Sequence, residues 1–210
     1  MAKKRKLNSI KDYERALRNK YGKGEKDNYK PWIRLSDVPS EGRSSIVPGI
    51  KAKRDHHFLS DIETRLFYAL EFNQNVVDIR EQFPLFPLDL VMQTANTAAI
   101  PYPYVPGTNT PFVITTDFVV TFSSGEYLAI AVKPNEKLSD LKVCEKLEIE
   151  RLWWEQQGIK WLLVPEEQVP APIASNLRWA SQPLRKDKSL MSEVREYIPE
   201  LVKYVNDITA

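Results

Sequence analysis

The amino-acid sequence predicts a mixed α/β fold, in which a central mixed sheet is flanked by helices. Over residues 59–165, the patterns of apolar residues predict a helix, three strands, a second helix and a fourth strand, in that order. Two of these strands are joined by a very short loop and are expected to form a hairpin. The composition agrees, because 42% of the 210 residues are apolar and 28% are charged, as in an ordinary globular protein.

The hairpin is predicted from two β-prone runs and the loop between them. Residues 112–122 are rich in Val, Ile, Thr and Phe, and residues 127–132 are apolar. The connecting residues Ser123-Ser124-Gly125 place a glycine where a left-handed backbone is needed. If Phe122 faces Glu126 across the loop, the pairing of the remaining hairpin residues follows.

This pairing places an acid and a lysine on one face of the sheet. Asp117 faces Ala131 and, because side chains alternate between the two faces, Lys133 lies on the same side. The opposite face is expected to be core, and its apolar residues are Phe118, Val120, Leu128, Ile130 and Val132. We therefore expect the chemistry of the protein at this hairpin.

The first helix of the core is predicted over residues 59–72, because Ser60 is a good N-cap and Glu63 completes a capping box. Two interpretations of Glu63 are open. In the first, its carboxylate only reaches back to the Ser60 amide. In the second, Glu63 lies on the apolar stripe that faces the sheet, where a carboxylate needs a metal ion or a lysine as partner. Glu71, near the other end of this helix, is expected to face water.

The other core elements are predicted from short apolar runs and their flanks. Residues 76–85 alternate as a strand, and residues 92–107 are expected to form a proline-containing loop. A helix is predicted over residues 139–157, and a short buried strand over residues 160–165. Prolines are expected to interrupt the chain after this strand, and residues 188–208 are expected to form one or two short helices.

The charge of the chain is unevenly distributed. Residues 1–30 contain eleven Lys or Arg against four Asp or Glu, a balance of +7, whereas the remaining residues have a balance of −5. Such an arm, with a short helix predicted over residues 10–21, favours a polyanionic partner such as nucleic acid; a solvated, frayed terminus explains the charge equally well. The predicted DNA-binding residues are Lys3, Lys4, Arg5 and Lys6 in the arm, and Lys53 and Arg54 in a later basic loop.

The sequence predicts a cytoplasmic protein. Its single cysteine, Cys144, excludes an internal disulfide framework, and no apolar run approaches the roughly 20 residues of a membrane helix. The N-terminus is basic, but no apolar region of the kind found in secretory signals follows it.

The residues expected at the hairpin suit metal-dependent hydrolysis. Carboxylates such as Glu63 and Asp117 bind hard cations such as Mg²⁺ through oxygen, and a bound metal activates water next to a phosphate. A lysine such as Lys133 polarises that water and neutralises developing charge. A helical Glu, an Asp, a hairpin and a Lys form the layout of restriction-endonuclease-like nucleases, although this spacing alone has little specificity.

Longer strings of residues make the comparison specific. Over residues 29–165, the chain resembles TnsA, the endonuclease subunit of heteromeric bacterial cut-and-paste transposases. The resemblance rests on HHFLSDIE (56–63), VVDIREQFPL (76–85), TTDF (115–118), AVKP (131–134) and EKLEIERLWWEQQGIKW (145–161). It implies a restriction-endonuclease-like core in a bacterial cytoplasmic protein.

The resemblance also implies roles for individual residues. It implies that Glu63, Asp117 and Lys133 are catalytic, and that Glu63 and Asp117 bind Mg²⁺, for which Mn²⁺ can substitute. The main-chain carbonyl of Val132 is implied as a further ligand. The implied reaction is hydrolysis of one strand of transposon-end DNA, leaving a 5′-phosphate and a 3′-hydroxyl. The implied partners are a DDE-type transposase (TnsB) and an AAA+ regulator (TnsC).

The chain departs from the family pattern at Ala131. This position is usually acidic, or Gln in the transposase relative, whereas alanine has no side-chain ligand. Asp117, Glu63, a backbone carbonyl and waters can still complete an octahedral shell. The resemblance offers Glu150, on the following helix, as a substitute metal ligand.

Three parts of the chain are predicted. They are a basic arm and helix over residues 1–28, a nuclease core over residues 29–165 and a short appendage over residues 166–210. Longer relatives have a winged-helix-like domain after the core, whereas compact versions resemble the subunits of CRISPR-associated transposons.

Two alternative functions stay open at this point. One is a self-sufficient restriction or repair nuclease of the same fold, although no recognition domain is obvious in the sequence. The other is a DNA-binding assembly subunit whose catalytic site has decayed, and Ala131 is the best evidence for it.

Overall fold

The computed structural model describes residues 5–37 and 43–186 of the chain. It is a mixed α/β structure, as the sequence predicts. Within the described residues, the α-helices are α1 (Ile10–Arg18), α2 (Asp61–Phe72), α3 (Leu88–Thr97), α4 (Leu141–Gln156) and α5 (Ala171–Lys186). The strands are β1 (Ser45–Pro48), β2 (Asp55–Phe58), β3 (Val76–Pro84), β4 (Thr115–Phe122), β5 (Tyr127–Lys133) and β6 (Lys160–Pro165).

The central sheet has the strand order β3–β4–β5–β6. The β3–β4 and β4–β5 pairs are antiparallel, and the β5–β6 pair is parallel. Helix α4 makes the crossover between the two parallel strands, which cannot be joined by a tight turn. The predicted mixed sheet is therefore confirmed, and β1 and β2 form a separate antiparallel ribbon.

The register of the β4–β5 hairpin is the one that the sequence predicts. Phe118 pairs with Ile130, and the Phe122 amide donates to the Glu126 carbonyl at 2.9 Å. Gly125 has a φ of +88°, a conformation that glycine adopts without steric cost. Because the turn sets the register, Asp117 lies opposite Ala131 in this pairing.

Each face of the sheet packs against its own apolar core. On one face, α2, α5 and the β1–β2 ribbon cover the hairpin residues predicted as core: Phe118, Val120, Ile130 and Val132 are buried, and Leu128 packs beside them. On the other face, α3 and α4 cover Val119 and Ala129. Both faces of the hairpin are thus covered, and the Asp117 side lies beneath α4 rather than facing solvent.

Two predictions about the surroundings of the sheet are wrong. The segment 92–107 does not begin as a loop, because α3 continues to Thr97. This helix buries Val91 and Ala95 in the apolar core that it shares with α4. Strand β6 is not buried either. It is one of the two edge strands of the sheet, each of its residues is exposed or half-buried, and Leu162 is 38% exposed.

Prolines do not interrupt the chain after β6 as expected. Helix α5 accommodates Pro172 in its first turn, where the missing N–H has no helical partner to lose, and Pro183 in its last turn. Arg185 of this helix forms a buried ion pair with Glu71, so the expectation that Glu71 faces water is wrong. The predicted helices after residue 186 lie outside the described residues.

Helix α1 lies on the body of the domain. It begins after Ser9, whose side chain accepts a hydrogen bond from the Asp12 amide. Tyr13 packs edge-on against Trp32, with ring centroids 5.7 Å apart, and its hydroxyl donates to the Pro111 carbonyl at 3.0 Å. In the described part of the chain, we find no helix that is long and apolar enough to span a bilayer.

Candidate active site

Asp117 and Lys133 meet at the end of the hairpin. The Lys133 ammonium donates to Asp117 Oδ2 at 2.7 Å and to the Val132 carbonyl at 2.8 Å. The same Asp117 oxygen accepts the Val132 amide at 2.7 Å. The Asp117 side chain is 11% exposed and that of Lys133 is 29% exposed, so the lysine is the more accessible of the two.

The charge of Asp117 stabilises the protonated form of Lys133. Burial by itself would lower the pKa of Lys133, but the charge of Asp117 and its hydrogen bond raise it above the ordinary value. Glu150 and Glu63 act in the same direction. The lysine therefore remains an ammonium at neutral pH.

Glu63 reaches this site from the first turn of α2. Its amide donates to Ser60 Oγ at 3.2 Å, and Ser60 Oγ donates back to Glu63 Oε1 at 2.8 Å. Oε2 accepts a hydrogen bond from the Leu59 amide at 3.1 Å. The carboxylate therefore binds the amide of Leu59, one residue before the Ser60 amide that was predicted. Burial, and next the charge of Asp117, raise the pKa of Glu63 to about 7. Glu63 thus caps the helix and is also close enough to Asp117 for that charge to raise its pKa.

Glu150 enters the site from α4. It is buried, and the Trp161 indole N–H donates to its Oε1 at 3.0 Å. Burial raises the pKa of Glu150 to about 7, with the charge of Asp117 as the second cause. The structure therefore brings Glu63, Asp117, Lys133 and Glu150 to one place, while Ala131 is fully buried and offers only its methyl group.

A family model described as "TnsA-like endonuclease N terminal" matches residues 73–166. This range contains the whole central sheet and α4, and with them Asp117, Lys133 and Glu150. Over these residues, the chain is similar to TnsA-like endonucleases.

The similarity to a curated TnsA extends beyond this domain. The chain is 39% identical over 167 residues to "Transposon Tn7 transposition protein TnsA" of Escherichia coli. The matched region is 79% of this chain and 60% of that relative. The chain therefore spans about three fifths of the length of the relative that it matches.

The predicted DNA-binding residues of this TnsA-like chain have different environments. Lys3 and Lys4 lie outside the described residues. Arg5 forms an ion pair with Asp37 and stacks on Tyr21, with its guanidinium carbon 3.6 Å from the ring centroid. Lys6 and Lys53 are exposed.

Arg54 belongs to a buried cluster that sequence reasoning missed. Its guanidinium donates to both carboxylate oxygens of Glu81, at 2.7 and 2.6 Å, and the His56 Nδ1 lies 2.9 Å from Glu81 Oε2. Burial would raise the pKa of Glu81, but the charges and hydrogen bonds of His56 and Arg54 hold it at about 2. The sequence contained one indication of its burial. In the alternating pattern of this strand, Glu81 falls on the same face as the apolar residues Val77, Ile79 and Phe83.

Gln82 is a second residue that sequence reasoning missed. It is buried, and its side-chain amide donates to Glu63 Oε2 at 3.2 Å. No pattern in the sequence singles it out, because a polar residue at this position of an alternating strand is ordinary.

Proposed function

We propose that the chain is the metal-dependent DNA endonuclease subunit of a transposase, which cleaves the 5′ strand at transposon ends. The observation that carries this proposal is that Glu63 lies near Asp117 and Lys133, two residues of the TnsA-like segment. The hydrolysis breaks one phosphodiester bond, and it leaves a 5′-phosphate and a 3′-hydroxyl.

The donor atoms of the site fit Mg²⁺, with Mn²⁺ as a substitute. Glu63, Asp117 and the Val132 carbonyl offer only oxygen, which Mg²⁺ prefers. Three buried carboxylates, counting Glu150, lie near one ammonium, and burial, followed by the charge of Asp117, raises the pKa values of Glu63 and Glu150. In the described residues, no three His, Cys, Asp or Glu side chains form a preformed metal cage. The carbonyl and waters would therefore complete the shell.

The residues proposed to hold the metal are Glu63, Asp117 and the Val132 carbonyl, with Glu150 in the role that Ala131 cannot fill. Bound there, the ion would activate a water molecule and stabilise charge on the phosphate. The chain itself supplies the Lys133 ammonium, which Asp117 holds at 2.7 Å. Such a preorganised charge stabilises the negative charge that develops on the phosphate oxygens.

The proposed substrate is transposon-end DNA, and the proposed partners are a DDE-type transposase resembling TnsB and an AAA+ regulator resembling TnsC. The name of the matched relative, a transposition protein, supports this setting. Lys3, Lys4, Arg5, Lys6 and Lys53 are proposed to assist DNA binding; Arg54 is less available, because Glu81 binds its guanidinium. An origin in a CRISPR-associated transposon stays a prediction.

A second candidate is favoured by one observation. Ala131 leaves the site one side-chain ligand short of the family pattern, as expected of an assembly subunit that no longer cuts. A third possibility is a nuclease that works without partners. The experiment described next distinguishes all three.

The experiment compares cleavage with and without the partner transposase. The chain is incubated with Mg²⁺ or Mn²⁺ and either supercoiled plasmid or a labelled transposon-end duplex. Cutting of the 5′ strand at the ends only with the partner supports the proposal. Nicking of plasmid by the chain alone supports the self-sufficient nuclease, and assembly without any cutting supports the decayed subunit. The same assay on Asp117→Asn tests the site. Its matched control is Asp89→Asn, which changes an exposed acid in α3.

A further inference from the structure

Gln82 has a backbone conformation that is unusual for a strand residue. It lies within β3, yet its φ is +49°. The other non-glycine residues with positive φ in the described chain are Lys20, Lys26 and Ala99, and all three lie in turns or helix ends. A left-handed glutamine inside a strand costs free energy and persists only where its surroundings enforce it.

The conformation places Gln82 between the elements that carry the site. In the register that pairs Glu81 with Phe118 and Phe83 with Thr116, Gln82 lies opposite Asp117. Its carbonyl accepts the Trp32 amide at 3.2 Å, so the N-terminal segment covers this edge strand at the same residue.

The side chain of Gln82 joins α2 to β4. Its Nε2 donates to Glu63 Oε2 at 3.2 Å, and its Oε1 accepts the Thr115 hydroxyl at 3.2 Å. Both contacts require the same orientation of the side-chain amide, because only its amino end can donate to a carboxylate and only its oxygen can accept from a hydroxyl. Thr115 precedes Asp117 by two residues on β4, so Gln82 bridges the helix that supplies Glu63 and the strand that supplies Asp117.

Glu63 is thereby fixed in one orientation. Its Oε1 accepts from Ser60, and its Oε2 accepts from both Leu59 and Gln82. The contacts from Ser60 and Leu59 belong to the helix cap and would exist on any capped helix. The Gln82 contact is the one that ties the carboxylate to the sheet.

We propose that Gln82 is a positioning residue that holds the Glu63 carboxylate in place for metal binding and cleavage. This inference rests on the proposed function. Partners of metal-binding carboxylates orient the ligand, and their loss typically weakens metal affinity or activity about 10–100-fold. The strain at Gln82 is the cost of placing its amide between Glu63 and Thr115.

Two substitutions separate positioning from folding. Gln82→Gly removes the amide but suits the positive φ, so it relieves backbone strain. Gln82→Met keeps the length of the side chain and removes both hydrogen bonds. The matched controls are Ala99→Gly, at another left-handed position, and Gln93→Met, at an exposed site in α3.

The readouts are Mn²⁺ affinity by titration calorimetry, 5′-strand cleavage with the partner transposase and transposon-end DNA, and the unfolding temperature. We expect both Gln82 variants to weaken Mn²⁺ binding and cleavage about 10–100-fold. The unfolding temperature of Gln82→Gly should stay at or above that of the wild type, and the controls should bind and cut normally. If Gln82→Met does not fold, Gln82→Gly still decides.

The outcomes distinguish the two proposals. If the wild type binds Mn²⁺ and cuts, and both variants match it, the role of Gln82 is overturned while the proposed function stands. Loss of activity in proportion to a fall in unfolding temperature also overturns it, because Gln82 is then only structural. If the wild type neither binds Mn²⁺ nor cuts, the proposed function fails and the role of Gln82 fails with it.

Discussion

The Lys133 ammonium lies 2.7 Å from Asp117 Oδ2 and 2.8 Å from the Val132 carbonyl oxygen. Both oxygens are among those proposed to hold the metal, so the chain places its own cation on them. A divalent ion bound there would share these oxygens with the lysine, whose side chain is the most solvent-accessible part of the pair. Asp117 thus has two roles, as a metal ligand and as the partner that orients Lys133.

Asp117→Asn should abolish 5′-strand cleavage and leave the fold intact. The asparagine oxygen can still accept the Val132 amide, which preserves the strand pairing, but the negative charge is lost. Burial and, after it, that charge raise the pKa values of Glu63 and Glu150 to about 7, so both values should fall in the variant. Cleavage assays and carboxyl NMR titrations measure the two effects; retained cutting would disprove the site assignment.

Lys133→Ala should slow the cleavage step more than it weakens metal binding. The ammonium is proposed to stabilise charge on the phosphate, and losing one such group costs about 100–1,000-fold in rate. Single-turnover cleavage and Mn²⁺ titration give the comparison. Lys137→Ala removes an exposed lysine four residues away and should have no effect. Equal losses of rate and metal affinity in Lys133→Ala would contradict the prediction.

Glu63→Gln distinguishes the helix cap from the metal ligand. Glutamine can also complete a capping box, so the free energy of unfolding should fall by no more than about 1 kcal/mol. Burial of a neutral amide is also less costly than burial of the carboxylate, whose pKa is raised to about 7. Cleavage should nevertheless be lost. The control is Asp61→Asn, an exposed acid in the same turn, and a fully active Glu63→Gln protein would show that Glu63 is only a cap.

The Glu81 cluster should make stability depend on acid pH. Its pKa is about 2 in the folded protein, against an ordinary value of 4.5, so the unfolded chain binds the proton more readily. The stabilisation is complete above pH 4.5 and is lost as the pH falls from 4.5 towards 2, on the order of 3 kcal/mol in all. Denaturant unfolding from about pH 6 down to about pH 3 measures the slope. Glu81→Gln should flatten it, and an unchanged slope would contradict the assignment.

The basic arm should contribute to DNA affinity through charge. Deleting the first 20 residues would also remove Tyr13 from the core, so substitution is the cleaner experiment. Replacing Lys3, Lys4 and Lys6 together with Ala should lower the salt slope of DNA binding by about 0.9 for each phosphate that the arm no longer neutralises. The control removes three exposed lysines outside the arm: Lys137, Lys146 and Lys160. Equal slopes in both triple variants would show that the arm has no special role.

Local patterns in the sequence predicted much of this structure. The hairpin register follows from a short loop with glycine at its left-handed position, and the start of α2 follows from the cap at Ser60. Both depend on residues within a few positions of each other, so local sequence is enough to predict them. That register places Asp117 and Lys133 on the same face, and the family resemblance adds Glu63.

Other features were decided by the tertiary structure. Strand β6 has an apolar sequence but lies at the edge of the sheet, and which strand lies at an edge depends on the order of all four. Glu71 and Glu81 are buried because Arg185 and Arg54 reach them from distant segments, 114 and 27 residues away.

The hairpin and the cap were therefore determined by the sequence alone, because short-range geometry leaves them one arrangement. The three-dimensional site was not. Glu150 joins it because α4 packs across the sheet, and the left-handed Gln82 has its amide between Glu63 and Thr115. Burial and hydrogen bonding between distant segments outweigh the preference of a strand residue for an extended backbone. The periodicity of a sequence contains no information about such contacts.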